Sequence, residues 1–254
     1  MGELSLQRSE IEKKKRKKKK KQEESKDDIV DRDEMDEFQQ ATKPTFIDKY
    51  RVDLGHGADV FYQPNFIDRD VAQEWYDSLL ELDTWYQPML KLYGRTFPQS
   101  RQIAAYSIYP NTSLSYSGTN ITMHHPFPPI LETMRQRLEQ ELGVKFNHCM
   151  LNRYDSGDVY IGKHSDNLNN LVIASISLGV ERTFIMTPRI PSRRKGVVEV
   201  DEGLLRGRKS MKWELGNGSL VVMQGRTQEF WKHEIPKEPK IKTGRISLTF
   251  RQLV

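Results

Sequence analysis

From residue 146 onward the chain breaks into short β-rich runs separated by Gly, Asn, Asp and Pro: Phe146–Tyr154, Val172–Leu178, Thr183–Met186, Val197–Val200, Ser219–Met223 and Arg245–Leu253. Two helical segments precede them. Asp68, Val71, Trp75, Leu79 and Leu80 repeat at helical spacing after a capping residue, so residues 68–82 read as an amphipathic helix. The second runs from Pro129 to about Leu142, with Ile130, Leu131, Met134, Leu138 and Leu142 on one side and Gly143 as its stop. Many short strands after helices predict an α+β fold, an antiparallel barrel or sandwich with the two helices packed outside it.

The first 42 residues stand apart. They carry 12 basic and 12 acidic side chains with very few large apolar ones, too few to offset the entropy of ordering, so residues 1–42 read as a disordered tail. Lys13 to Lys21, with Arg16 inside, is an unbroken run of nine positive residues that suits nuclear import machinery or a phosphate backbone. A solubilising tail, paired with the nine carboxylates between Glu23 and Glu37, is the plainer alternative. Because the tail's charges cancel, the whole formal charge of +5 belongs to residues 43–254. Residues 189–212, with eight basic and three acidic side chains, read as a basic excursion from the sheet. A lone cysteine, Cys149, excludes an intrachain disulfide and a cysteine zinc cluster, and points to a reducing compartment. No apolar run approaches the ~18 residues of a membrane span, and the N-terminus matches neither a secretory nor a myristoylation signal. The expectation is a soluble protein of the nucleus, with the cytoplasm as the alternative.

Only six histidines are present, so their positions are informative. His164-Ser165-Asp166 ends a β-like stretch, where a period of two aims imidazole and carboxylate at one point. His233 lies 69 residues later, beyond several strands that a closed barrel could bridge. Two histidines and a carboxylate on one face of an octahedron suit non-heme Fe(II) and oxygen chemistry. The same spacing fits a histidine hydrogen-bonded to a neighbouring aspartate on a loop, and spacing alone leaves both open. His148, inside the run Phe146–Leu151, reads as a satisfied core or interstrand histidine, and neither it nor His124 or His125 is assigned as a ligand.

In the last strand, alternation sends Ile246, Leu248 and Phe250 to one face and Arg245, Ser247, Thr249 and Arg251 to the other. An ordinary half-exposed strand carries this pattern too. Core-like segments flank the strand, however, and if its polar face turns inside the barrel, two guanidiniums there need anions. A small dicarboxylic acid meets that need, since arginine grips carboxylates through paired hydrogen bonds. Beside an iron triad, such a clamp suggests 2-oxoglutarate.

These residues resemble a known family. Asn152-Arg153-Tyr154-Asp155-X-Gly157, Ile161-Gly162-Lys163-His164-Ser165-Asp166, Ile173 to Gly179 followed by Arg182-X-Phe184, then His233, then Arg245-X-X-Leu248-Thr249-Phe250-Arg251 look like the AlkB family of iron- and 2-oxoglutarate-dependent nucleic-acid demethylases. The likeness runs in order through roughly residues 85–254. It implies a double-stranded β-helix (jelly-roll) core over residues 128–254, with residues 43–127 forming an N-terminal extension and a nucleotide-recognition lid. It implies that His164, Asp166 and His233 bind iron, and that Asn152, Tyr154, Arg245 and Arg251 meet the 2-oxoglutarate carboxylates, with O₂ as the second co-substrate. Ser247 departs from the family, which usually has Asn there.

Leu92-Tyr93-Gly94-Arg95 reads as a tight turn with an aromatic near its tip, and Ser100-Arg101-Gln102 with Tyr116-Ser117-Gly118 is rich in aromatic and basic groups. These segments resemble the lid of the family's duplex-DNA branch, which makes Tyr93 a wedge, Tyr116 a stacking partner for a flipped base, and Arg101 a neighbour of the lesion. Ordinary core or hairpin packing of both tyrosines is the alternative. Asn167 replaces the second acidic residue usual in that branch, and an amide donates as well as accepts. The resemblance therefore implies direct-reversal repair of 1-methyladenine and 3-methylcytosine in duplex or single-stranded DNA. Alternatives are the same chemistry on RNA or on 6-methyladenine in DNA, a protein hydroxylase on the same barrel, and a non-catalytic jelly roll that binds nucleic acid.

Overall fold

In the computed structural model the described residues are 44–92, 94–116, 119–167, 169–189 and 207–253, all within a unit that begins at Gln40. The expected tail with its basic run, the strand at Val197–Val200, most of the basic excursion and Tyr93 lie outside them. The elements run α1 (Pro44–Tyr50), β1 (Arg51–Asp53), β2 (Ala58–Gln63), α2 (Arg69–Leu80), β3 (Met89–Leu92), β4 (Arg95–Pro98), β5 (Gln102–Ser107), β6 (Ser113–Tyr116), β7 (Thr119–Thr122) and α3 (Pro129–Leu142). They continue with β8 (His148–Tyr154), β9 (Ile161–His164), β10 (Asn170–Gly179), β11 (Arg182–Pro188), β12 (Met211–Leu215), β13 (Ser219–Gly225), α4 (Thr227–Phe230), β14 (Trp231–Ile235) and β15 (Arg245–Leu253). No helix among the described residues is long and apolar enough to cross a membrane.

A seven-stranded sheet in the order β1-β2-β13-β10-β15-β8-β5 and a four-stranded sheet in the order β12-β11-β14-β9 form the body, with antiparallel pairing throughout. The outer face of the large sheet packs Ala174, Ile176, Leu248 and Phe250 against Leu79 of α2 and Leu131, Met134, Leu138 and Leu142 of α3. Between the sheets, Ile173, Val221 and Met223 meet Phe184, Met186, Leu215, Trp231 and Ile235. Each such aliphatic or aromatic side chain contributes about 1.5–3 kcal/mol on burial, so the large sheet is held by apolar contacts from both faces. This is the antiparallel sandwich with helices outside that the sequence predicts, and it is consistent with the jelly-roll core that the resemblance implies.

Helix α3 follows its pattern, and Gly143 ends it in the left-handed region at φ 71°, where a residue without Cβ is unstrained. Helix α2 differs in detail: Asp68 precedes it but makes no side-chain capping bond, and Val71 faces outward while Ala72 is buried. Two small hairpins, β3–β4 and β6–β7, occupy the region expected to form the lid.

Arg182 ties the small sheet to the loop after β8. It is 1% exposed, and its guanidinium donates to Glu238 Oε2 (2.8 Å) and to the carbonyls of Ser156 (3.2 Å), Val159 (3.0 Å) and Pro236 (2.7 Å). Gly157 closes the same loop, because a Cβ there would lie 1.8 Å from the Glu238 carbonyl oxygen. Burial alone would raise the Glu238 pKa, but Arg182 and Thr183 hold it below the ordinary glutamate value. Arg182→Met removes the charged partner of Glu238, which keeps only its Thr183 donors, and takes the guanidinium from the Val159 and Pro236 carbonyls, so it is expected to cost about 3 kcal/mol of unfolding free energy in urea. An unchanged midpoint would show that the network carries no such weight.

Candidate metal centre and active site

The side chains expected to carry the chemistry converge because of strand register. On β15 the polar face of Arg245, Ser247, Thr249 and Arg251 lines a cavity between the sheets, while Ile246, Leu248 and Phe250 are fully buried in the helix-side core. The strand is therefore not half-exposed. Its neighbours in the large sheet add Met150, Asn152 and Tyr154 from β8 and Ser175 from β10, and the small sheet and its loops add His164, Asp166, Phe184 and His233. Strand β14 pairs with β9 so that His233 stands opposite His164, which brings residues 69 apart in sequence to ring centroids 4.2 Å apart.

His164, Asp166 and His233 each offer a ligand atom, and these atoms lie within 4.8 Å of one another. His164 Nδ1 lies 2.9 Å from the Gly162 carbonyl, which can only accept; Nδ1 therefore carries the proton and Nε2 keeps its lone pair for a cation. Burial lowers the His233 pKa to about 3 and lowers that of His164, so both are neutral at pH 7. Asp166 behaves oppositely. Burial pushes its carboxyl up, but the Arg251 guanidinium, donating from Nη2 to Oδ2 at 3.2 Å, holds it down at about 2. Two neutral imidazoles and one carboxylate that stays ionised form a donor set for a divalent cation with nitrogen and oxygen preference.

Beyond the ligand residues the cavity is shaped for an anion. Arg245 is 2% exposed; Nη2 donates to Ser177 Oγ at 2.8 Å, whereas Nε and Nη1 meet no acceptor among the described residues. Burial pushes this guanidinium below the ordinary arginine range. Arg251, 8% exposed, likewise keeps Nη1 without an acceptor among the described residues. Unpaired donors on two buried cations are costly unless a carboxylate meets them. Ser247 Oγ lies 3.0 Å from Ser175 Oγ, so the serine at this position extends a hydroxyl row along the cavity wall.

The residues expected to touch a base are less uniform. Arg101 is buried, its Nε donates to Asn152 Oδ1 at 2.6 Å, and its charge bears on His164. Asn167 is exposed and does not line the cavity; its side-chain oxygen accepts from the Asn169 N–H at 3.2 Å, which makes a local turn. Tyr116 ends β6, with its side chain outside the described residues. His148 is buried, as expected, but only half satisfied: Nδ1 is 3.1 Å from Asn147 Oδ1, and Nε2 meets no partner among the described residues. Met150 and Met223 complete the wall, and Gln228 braces the metal loop, without a signal in the sequence; ordinary core residues look the same.

Three residues able to hold a divalent cation beside buried anion-seeking arginines, between two antiparallel sheets, fit the site of a metal-dependent oxygenase. Comparison with known proteins agrees. Residues 59–251 match the 2OG-Fe(II) oxygenase superfamily. The chain is 32% identical to the DNA oxidative demethylase ALKBH2 of Arabidopsis thaliana over 213 residues, covering 79% of this chain and 68% of that protein. It is 32% identical over 220 residues to the alpha-ketoglutarate-dependent dioxygenase alkB homolog 3 of Rattus norvegicus (83% and 71% covered) and 30% identical over 222 residues to that of Homo sapiens (84% and 74%). The chain belongs to the AlkB family of 2OG-Fe(II) oxygenases, whose chemistry uses Fe(II), 2-oxoglutarate and O₂.

Metal binding should stabilise the native state by mass action, about 2.7 kcal/mol at a hundredfold excess over Kd. Mn(II), as a redox-silent probe, is expected to raise the thermal midpoint of the native chain and not that of His233→Ala. An equal rise in both would place the metal elsewhere.

Proposed function

We propose that this chain removes N-linked methyl groups from bases in DNA, 1-methyladenine and 3-methylcytosine being the expected lesions, as direct-reversal repair. The observation that carries the reading is the joint placement of His164, Asp166 and His233 with two buried arginines whose free N–H groups face one cavity. The names of the relatives, among them a DNA oxidative demethylase, and the positive charge of residues 43–254 support DNA as the substrate. The run Lys13–Lys21 supports a nuclear location.

On this reading His164, Asp166 and His233 hold Fe(II). Asn152, Tyr154, Arg245 and Arg251 would meet the carboxylates of 2-oxoglutarate, Arg251 being the one hydrogen-bonded to Asp166. The metal and co-substrates, when bound, supply oxidation of the N-methyl group to a hydroxymethyl group that is lost as formaldehyde. The chain's own work is positional. Arg251 keeps Asp166 ionised, the Gly162 carbonyl fixes the His164 tautomer, and Met150, Phe184, Leu215, Met223 and Ile235 keep the cavity wall dry.

Methylated duplex DNA, single-stranded DNA and RNA oligonucleotides incubated with iron, ascorbate and 2-oxoglutarate test the reading by mass analysis. Loss of the methyl group from 1-methyladenine or 3-methylcytosine in DNA, with succinate release, is expected. Faster turnover on RNA would overturn the substrate, and no succinate with any substrate would overturn the enzyme. Arg245→Gln is expected to raise KM for 2-oxoglutarate at least ~10-fold, since a charge-assisted bidentate contact is replaced by a neutral one.

A further inference from the structure

The strand pairing that brings His164 to His233 stops at His164. Residues 165–167 belong to no strand, so backbone ladders do not fix the position of Asp166. Arg251 holds its carboxylate, and two further side-chain hydrogen bonds hold the backbone of the loop. Ser165 Oγ donates to the Trp231 carbonyl at 2.9 Å, and Gln228 Oε1 accepts the Asp166 backbone N–H at 2.8 Å. Both partners come from one stretch, α4 and the start of β14, which also delivers His233.

That stretch is itself anchored. Thr227 Oγ1 is 3.0 Å from the Asp59 carbonyl and 2.6 Å from that of Gln224, which fixes the short helix to β2 and to the end of β13. Gln228 is buried, and its Nε2 contacts Met223 Sδ at 3.6 Å, so its amide is oriented with the oxygen toward Asp166. Arg189 completes the brace: its Nη1 donates to Ser165 Oγ at 2.9 Å, and its backbone N–H donates to the Phe230 carbonyl at 2.8 Å.

From this geometry we propose that Gln228 and Ser165 are the positioning residues of the metal centre, a clamp that locks the His164–Asp166 loop onto the segment bearing His233. The inference rests on the metal site proposed above and adds the residues that set its geometry. Neither touches the ligand atoms. Their effect is to fix where Asp166 stands before a cation arrives, so that binding does not carry the cost of ordering a loop. Supporting groups of this kind typically govern metal affinity by about 10- to 100-fold.

Titration of the metal-free full chain with Co(II), followed by its visible absorption, tests the clamp. Gln228→Met removes the acceptor for the Asp166 N–H while keeping volume, and is expected to weaken Co(II) binding about 10- to 100-fold. Ser165→Ala, a milder change on a half-buried residue, is expected to weaken it in the same direction. Gln228→Glu keeps an oxygen acceptor and is expected to bind at least as tightly as the native chain. A general loss of packing would lower the metal-free thermal midpoint and affect both Gln228 variants alike, whereas the clamp predicts that they diverge. Native affinity in Gln228→Met, or equal weakening in Gln228→Met and Gln228→Glu, would overturn the clamp while leaving the metal site intact. Absence of Co(II) binding by the native chain would overturn the site and the clamp together.

Discussion

The burial of β15 on both faces is the constraint on which the rest depends. A strand with alternating apolar and basic side chains normally turns its charges to water. Here the apolar face is taken by the core beneath α2 and α3, which forces Arg245 and Arg251 into the space between the sheets. Removing two guanidiniums from water costs several kcal/mol each unless anions meet them. Asp166 answers one of Arg251's donors, and no carboxylate among the described residues answers Arg245's Nε and Nη1. The cavity is built around a debt that a small dianion settles.

The electrostatics of the metal side follow from that arrangement. Arg251 faces the cavity and holds Asp166 ionised, so the carboxylate is ready for a cation at any physiological pH, while burial keeps the two imidazoles neutral. Two buried cations and one buried anion give the cavity lining a positive balance. A divalent ion alone would enlarge it, and a dianion reduces it, so the two bind most favourably together. Apolar walls from both sheets sharpen these interactions by excluding water.

Much of this was legible in the residues. Helix α3 and strand β15 follow their periodicity to the residue, and the alternation of β15 already raised the question of where its arginines go. The convergence of His233 on His164 is left open by spacing alone and expected from a closed barrel and from the family's motif order; β14–β9 pairing across 69 residues is what sets it. Strands β1 to β7 escaped notice because they are short, from three residues in Arg51–Asp53 to six in Ala58–Gln63, too brief for an alternation to stand out. Gln228 left no trace at all: a glutamine on a four-residue helix matters only through the N–H it accepts. Arg101 reads as a neighbour of the lesion, and its hydrogen bond to Asn152 was not legible because it joins residues 51 apart in sequence.

The account stands on a metal and an organic diacid sharing one cavity. Its most direct test is the visible absorption of the anaerobic Fe(II)-loaded chain as 2-oxoglutarate is added. A keto acid bound through its carboxylate and keto oxygen to Fe(II) gives a charge-transfer band, and the account predicts that this band appears and saturates at one equivalent of co-substrate. Iron that binds while the spectrum stays blind to 2-oxoglutarate would contradict it.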